Sequence, residues 1–151
     1  MPYRICKIIE VESGHMLSKH PANCKFPHGH SRRVEMVLEA DELDCNDMVC
    51  DYFAVKNALV TFLDSFDHAM CMNSDDAMYP VFKEAYGERI IEFKGEDPTT
   101  EAMARMIFDR VKALLADYAT RSEGEYVIAP SVRLVRIRLW ETASSWAEYE
   151  G

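Results

Sequence analysis

Apolar positions along this chain recur with a period of two at both ends and a period near 3.6 in the middle. Residues 3–13, Tyr-Arg-Ile-Cys-Lys-Ile-Ile-Glu-Val-Glu-Ser, are rich in β-branched side chains and read as a strand running into Gly14-His15. In residues 31–40, Val34, Met36, Leu38 and Ala40 fall on one parity, and Arg33, Glu35 and Glu39 on the other, which predicts a half-buried strand. Residues 41–48 are a polar turn. Asp51 can cap the next segment, where Tyr52, Val55, Leu59, Phe62 and Phe66 recur at helical spacing. A short strand is expected in Gly-Glu-Arg-Ile-Ile-Glu-Phe, residues 87–93. A second helix follows, with Pro98 near its first turn and Met103, Ile107, Val111, Leu114 and Tyr118 along one stripe. Residues 131–141 and 145–150 read as a closing hairpin. Strands gathered at both ends of two helices predict an α+β fold with a mainly antiparallel sheet, whose exposed edges other subunits could close.

At 151 residues the chain fits one domain, residues 1–151, with 48% hydrophobic residues to build its core. A net charge of −9 argues against general nucleic-acid binding, which needs a basic face. An anionic substrate would need local basic residues, and Lys19, Lys25, Arg32 and Arg33 could supply them. Arg32 and Arg33 could equally be the solvated edge of a strand. Five cysteines, an odd count, do not read as a disulfide framework. The first fifteen residues lack an uninterrupted apolar segment, and no run approaches the length of a membrane span, so a cytoplasmic protein is expected.

The chemistry concentrates in Asn23–Arg33, Asn-Cys-Lys-Phe-Pro-His-Gly-His-Ser-Arg-Arg. Residues two apart share a strand face, so His28 and His30 can aim both rings at one point. Zinc takes imidazole nitrogen well, and three protein ligands leave a catalytic position open. His15, closing the first strand, is favoured over the loop residue His20 as a third ligand. Cys24 is either a reactive thiol activated by nearby positive charge or a fourth ligand closing a structural site, and composition leaves these even. Asp67-His68 can be a carboxylate orienting an imidazole or a polar helix end. Glu101 sits where an acid suits a helix start. Val135, Ile137, Leu139 and Glu141 share parity, so an apolar face ends in a carboxylate able to accept two hydrogen bonds from a ring N–H and an amine. A solvated strand end would leave the same pattern.

Six features in order, Ser13-Gly14-His15, Cys24-x3-His28-Gly29-His30, Asp51-Tyr52, Asp67-His68, Pro98-Thr99-Thr100-Glu101 and Trp140-Glu141-Thr142, make the chain resemble the 6-pyruvoyl-tetrahydropterin synthase / 6-carboxy-tetrahydropterin synthase family. The resemblance implies a tunnelling fold: a four-stranded antiparallel sheet with two helices on one face, plus a short insertion at residues 74–95. It implies homo-oligomers, trimers or hexamers, with active sites between subunits. It implies Zn²⁺ held by His15, His28 and His30, with Cys24, Asp67 and His68 moving protons and the last two coming from the same or a neighbouring chain. Glu141 would anchor a pterin ring, with Thr99, Thr100 and Glu101 nearby. The implied substrate is 7,8-dihydroneopterin triphosphate, a small molecule, with neither nucleic acid nor membrane as partner. Elimination of triphosphate gives 6-pyruvoyl-tetrahydropterin in one branch; in the other, acetaldehyde is also lost and 6-carboxy-tetrahydropterin leads toward queuosine. The carboxy branch is the first expectation; the alternatives are the pyruvoyl branch and a non-catalytic zinc- or pterin-binding oligomer. The sequence departs from the family around His15 and in the Met-rich flanks of Asp67-His68, which bears on substrate preference rather than on metal binding.

Overall fold

A computed structural model describes all residues, 1–151. Six strands form one sheet: β1 (Tyr3–Met16), β2 (His28–Ala40), β3 (Ala69–Asn73), β4 (Ile90–Phe93), β5 (Arg133–Thr142) and β6 (Ser145–Glu150). Three helices accompany them: α1 (Tyr52–Asp64), α2 (Tyr79–Tyr86) and α3 (Thr100–Arg121). The strand order is β4-β3-β1-β2-β5-β6. The four expected antiparallel strands, β1, β2, β5 and β6, are a contiguous block. The expected four-stranded sheet with two helices is nevertheless too small, because β3 and β4 extend the block in parallel from β1 and α2 adds a third helix. β3 escapes a period-two reading because Ala69, Cys71, Met72 and Asn73 are all buried, so both of its faces are covered and nothing alternates. α2 escapes a stripe reading because it buries none of its eight residues.

The parity argument for β2 holds. Val34, Met36 and Leu38 are fully buried and share a core with Leu59 and Leu63 of α1 and with Ile107 and Val111 of α3. On the opposite face Glu35 pairs with Arg136 at 2.7 Å, and Glu39 with Arg4 and Arg133. Two apolar stripes need adjusting. Tyr52 begins α1 but is half exposed, while Ala54 and Leu63 complete its buried side. In β5 a register shift opposite Val37/Leu38 breaks the alternation, so Leu134 rather than Val135 reaches the core ahead of Ile137 and Leu139.

The two main helices begin on side-chain caps. Asp51 accepts from the Phe53 N–H at 2.7 Å, and Thr99 from the Ala102 N–H at 3.1 Å. The second cap matters most for the site, since it fixes Asp97-Pro98 at the point where α3 meets the end of β1. Asp97 is buried and ties three segments together: its carboxylate accepts from the Lys19 backbone N–H at 2.8 Å and from the Asn73 amide at 2.9 Å.

Candidate metal centre and active site

Antiparallel pairing sets His15 opposite His28 and Ser13 opposite His30. All four side chains point to the helix-covered face, beyond Val34 and Arg32 on the same parity of β2. The three imidazoles therefore meet where the apolar core ends, and their ligating nitrogens lie within 4.8 Å of one another. Gly14 and Gly29 pair between them. A Cβ on Gly14 would stand 2.9 Å from the Met70 methyl and 3.2 Å from the His28 carbonyl oxygen, so this close approach needs glycine.

The protons of two rings are committed outward. His15 Nδ1–H donates to the Pro98 carbonyl at 2.8 Å, and His28 Nδ1–H to the Phe26 carbonyl at 2.8 Å. Each Nε2 is left with a free lone pair. The Arg32 guanidinium nitrogen 3.3 Å from His15 Nδ1 is then a contact between two donors and not a hydrogen bond. His28 Nε2 is buried with no partner, and His30 Nε2 lies 3.2 Å from His15 Nε2. Burial pushes the His15 imidazole down to about 4, and burial with the Arg32 charge lowers His30, so both are neutral near pH 7, the form a metal requires. Two nitrogens bound tetrahedrally to zinc stand about 3.3 Å apart. The 3.2 Å separation and the orphaned His28 Nε2 fit such an ion.

Glu141 reaches the same point: its Oε1 lies 3.3 Å from His30 Nε2 and 3.6 Å from His15 Nε2. The apolar face of β5 thus ends in a carboxylate over the imidazoles, and the solvated-end reading falls. Arg32 lies just beyond the last β2–β5 pair, Arg33 with Trp140, and the Glu141 charge acts on its guanidinium. It is 1% exposed and donates to the Thr100 hydroxyl at 3.1 Å, so it is not a solvated strand edge. Arg33 turns to the other face and stacks over Trp140. Lys25 lies over Phe26.

The remaining expected residues are placed as follows. Cys24 sits partly exposed in a short 3-10 turn, Asn23–Lys25, outside the three-histidine group. His20 also stays outside; its Nδ1 accepts from the Ala22 N–H. Thr99 is occupied as the α3 cap and Thr100 as the acceptor for Arg32. Glu101, with Thr99, His20 and Lys19, lines an open cleft of about 650 Å³. Asp67 and His68 pair at 2.7 Å. The Glu12 N–H, then His68, hold the Asp67 carboxyl below the usual carboxylate range. His68 has φ 56°, a left-handed conformation costly for a residue with a Cβ, and its N–H is bonded to the Glu12 carbonyl at 2.6 Å. The dyad lines a separate cleft with Asp64 and Arg89, which holds neither Cys24 nor any of the three histidines.

Sequence reasoning did not find the supporting set: Asp97, the Pro98 carbonyl, and Arg32 as a buried charge. Acid and proline before a helix are too common to signal such roles.

An α+β sheet that carries three converging imidazoles able to hold a metal ion, with a carboxylate beside them and an Asp–His pair in a second cleft, defines a protein with a candidate metal centre. The chain belongs to the 6-pyruvoyl tetrahydropterin synthase family, whose sequence profile matches residues 4–151. It is 34% identical to the 6-carboxy-5,6,7,8-tetrahydropterin synthase of Aquifex aeolicus (strain VF5), over 99% of both chains. The protein of that name from Haemophilus influenzae is 26% identical, over 98% of this chain and 99% of its own. Among solved structures, an uncharacterized protein from Wolinella succinogenes aligns with a TM-score of 0.78 at 21% identity, covering 100% of this chain and 99% of that one. A 6-pyruvoyltetrahydropterin synthase catalytic residue mutant from Plasmodium vivax aligns with a TM-score of 0.71 at 13% identity, covering 100% and 98%. These likenesses establish the fold.

Proposed function

We propose that the chain is a zinc-dependent lyase of the 6-carboxy-tetrahydropterin synthase kind, acting on 7,8-dihydroneopterin triphosphate with loss of triphosphate and acetaldehyde. One observation carries the metal-dependent part: three imidazoles converge on one point, two of them with an Nδ1–H donated to a backbone carbonyl. Full-length similarity to carboxy-synthases supports the branch. Bound there, Zn²⁺ would polarise a side-chain oxygen of the substrate as a Lewis acid. His15, His28 and His30 hold it. Cys24, on the loop leading into β2, moves protons at the side-chain carbons. Asp67 orients His68 through its ring N–H, and the pair serves as proton relay. Because the dyad's cleft contains none of the histidines, we assign it to the site of a neighbouring subunit in a trimer or hexamer. Glu141 accepts from the pterin ring N–H and exocyclic amine; Glu101, Thr99 and Thr100 border that region. Catalysis in the cytoplasm, on a pathway toward queuosine, belongs to the same proposal. No helix is long and apolar enough to cross a membrane.

The test is incubation with 7,8-dihydroneopterin triphosphate and product identification by mass spectrometry. Carboxy-tetrahydropterin with acetaldehyde supports the proposal, whereas pyruvoyl-tetrahydropterin points to the other branch and unchanged substrate to a binding protein. Cys24→Ala is expected to abolish turnover while keeping about one zinc per chain. If that variant loses its zinc, Cys24 is a ligand and its catalytic role is wrong.

A further inference from the structure

We infer that Glu141 is a displaceable fourth ligand of the metal, closing the centre until a ring with adjacent N–H donors draws the carboxylate away. This inference rests on the metal-centre reading above and deepens it.

Three atoms carry the argument. His15 Nε2, His30 Nε2 and Glu141 Oε1 are separated by 3.2, 3.3 and 3.6 Å. Ligands at about 2.0–2.1 Å from a tetrahedral zinc stand about 3.3 Å apart, so these atoms have the spacing of one face of a coordination tetrahedron. His28 Nε2, buried and unpartnered, belongs to the same three-histidine cluster. Hydrogen bonding alone does not satisfy the group. His15 Nε2 and His28 Nε2 carry no proton, because both rings donate from Nδ1 to backbone carbonyls. One proton on His30 Nε2 can serve either His15 or Glu141 and still leaves His28 unpaired. A cation among the three imidazole nitrogens gives each of them a partner, and Glu141 Oε1 stands 3.3 and 3.6 Å from two of them.

The backbone gives this carboxylate freedom to move. Glu141 is the residue at which the β5–β6 ladder shifts register, between Trp140 and Thr142, and such a bulge re-aims its side chain out of the regular array. The side chain is about one-third exposed, and its close polar neighbours are the two imidazole nitrogens. Arg32 spends its hydrogen bond on Thr100. Nothing else fastens Glu141. A single carboxylate cannot ligate the metal and grip a ring amine and N–H together, so ring binding would vacate a coordination position when substrate oxygen is at hand. A small ligand without such a ring would meet a closed centre.

Cobalt(II)-loaded protein tests this through its visible spectrum, with azide as the probe anion and neopterin as the probe ring. The wild-type spectrum is expected to ignore azide and to change on adding neopterin. Glu141→Ala, and Glu141→Gln should the alanine variant misfold, is expected to admit azide and to bind zinc about 10- to 100-fold more weakly. Equal azide access in wild type and variants, or equal zinc affinity, overturns the inference while leaving the three-histidine centre standing. Failure of the wild type to take up either metal overturns both.

Discussion

Asp97 offers the sharpest test of how the site is held, because one carboxylate joins the loop carrying Cys24, strand β3 and the start of α3. Its two hydrogen bonds, from Lys19 N–H and Asn73 Nδ2, do not weigh equally. Hydrogen bonds to a charged acceptor contribute about 1.5–3 kcal/mol each. Lys19 is exposed, so its N–H regains water when Asp97 is removed, and the low figure applies. Asn73 is 2% exposed and its amide would stay buried without a partner, so the high figure applies. Asp97→Ala should therefore destabilise by about 4.5 kcal/mol, and at about 2–4 °C per kcal/mol for a domain this size the melting temperature should fall by about 9–18 °C. The neighbouring Glu96 is the control. It pairs with Arg105 in the open, both side chains being more than 40% exposed, and such pairs are worth about 0–1 kcal/mol. Differential scanning calorimetry of Asp97→Ala and Glu96→Ala, with urea titrations to check that the m-value is constant, gives both numbers. Equal small losses in the two variants would refute the reasoning, and with it the claim that Asp97 ties the three segments together.

Three further outcomes follow from the same geometry. Gly14→Ala should cost about 1–3 kcal/mol by urea denaturation, since Met70 can yield but the His28 carbonyl cannot; zinc affinity measured by chelator competition should fall with it. A native thiol titration should find Cys6, Cys24 and Cys45 reacting and Cys50 and Cys71 silent, because burial pushes the last two thiols up to about 11 and about 12. For the same reason stability should fall as pH rises from about 9 toward 11: the unfolded chain loses those protons first, so it binds fewer protons than the folded chain and alkali favours it. Denaturant midpoints between pH 8 and 11 check this, and the slope should shrink in Cys50→Ala.

What the sequence revealed and what it hid divide along physical lines. Val34, Met36 and Leu38 announce a buried face because the charged Arg33, Glu35 and Glu39 alternate with them, although Glu35 and Val37 are buried on the other side too. The alternation then carries His28 and His30 onto the face of Val34. Glu141 is legible for the same reason at the end of β5. β3 is hidden because a strand covered on both faces has no period. α2 is hidden because an eight-residue helix that buries nothing need have no stripe. The Asp67–His68 pairing is legible as a dipeptide, but its left-handed turn and its tether to Glu12 depend on where β1 passes, 55 residues away in sequence.

Arg32 shows why charge is the hardest part of such a site to read from a chain. Its place beside Arg33 in a polar run suggests a solvated edge, yet parity puts it on the face of His28, His30 and Val34, and it is 1% exposed. A guanidinium that deep with one hydrogen bond, to Thr100, is expensive unless an opposite charge stands near. Glu141, at the end of the neighbouring strand β5, supplies that charge. The two opposite charges offset one another on neighbouring strands beside the three imidazoles. Removing either would unbalance the other, so the buried arginine and the mobile carboxylate are best understood as one device, built into the ladder that also aligns the metal ligands.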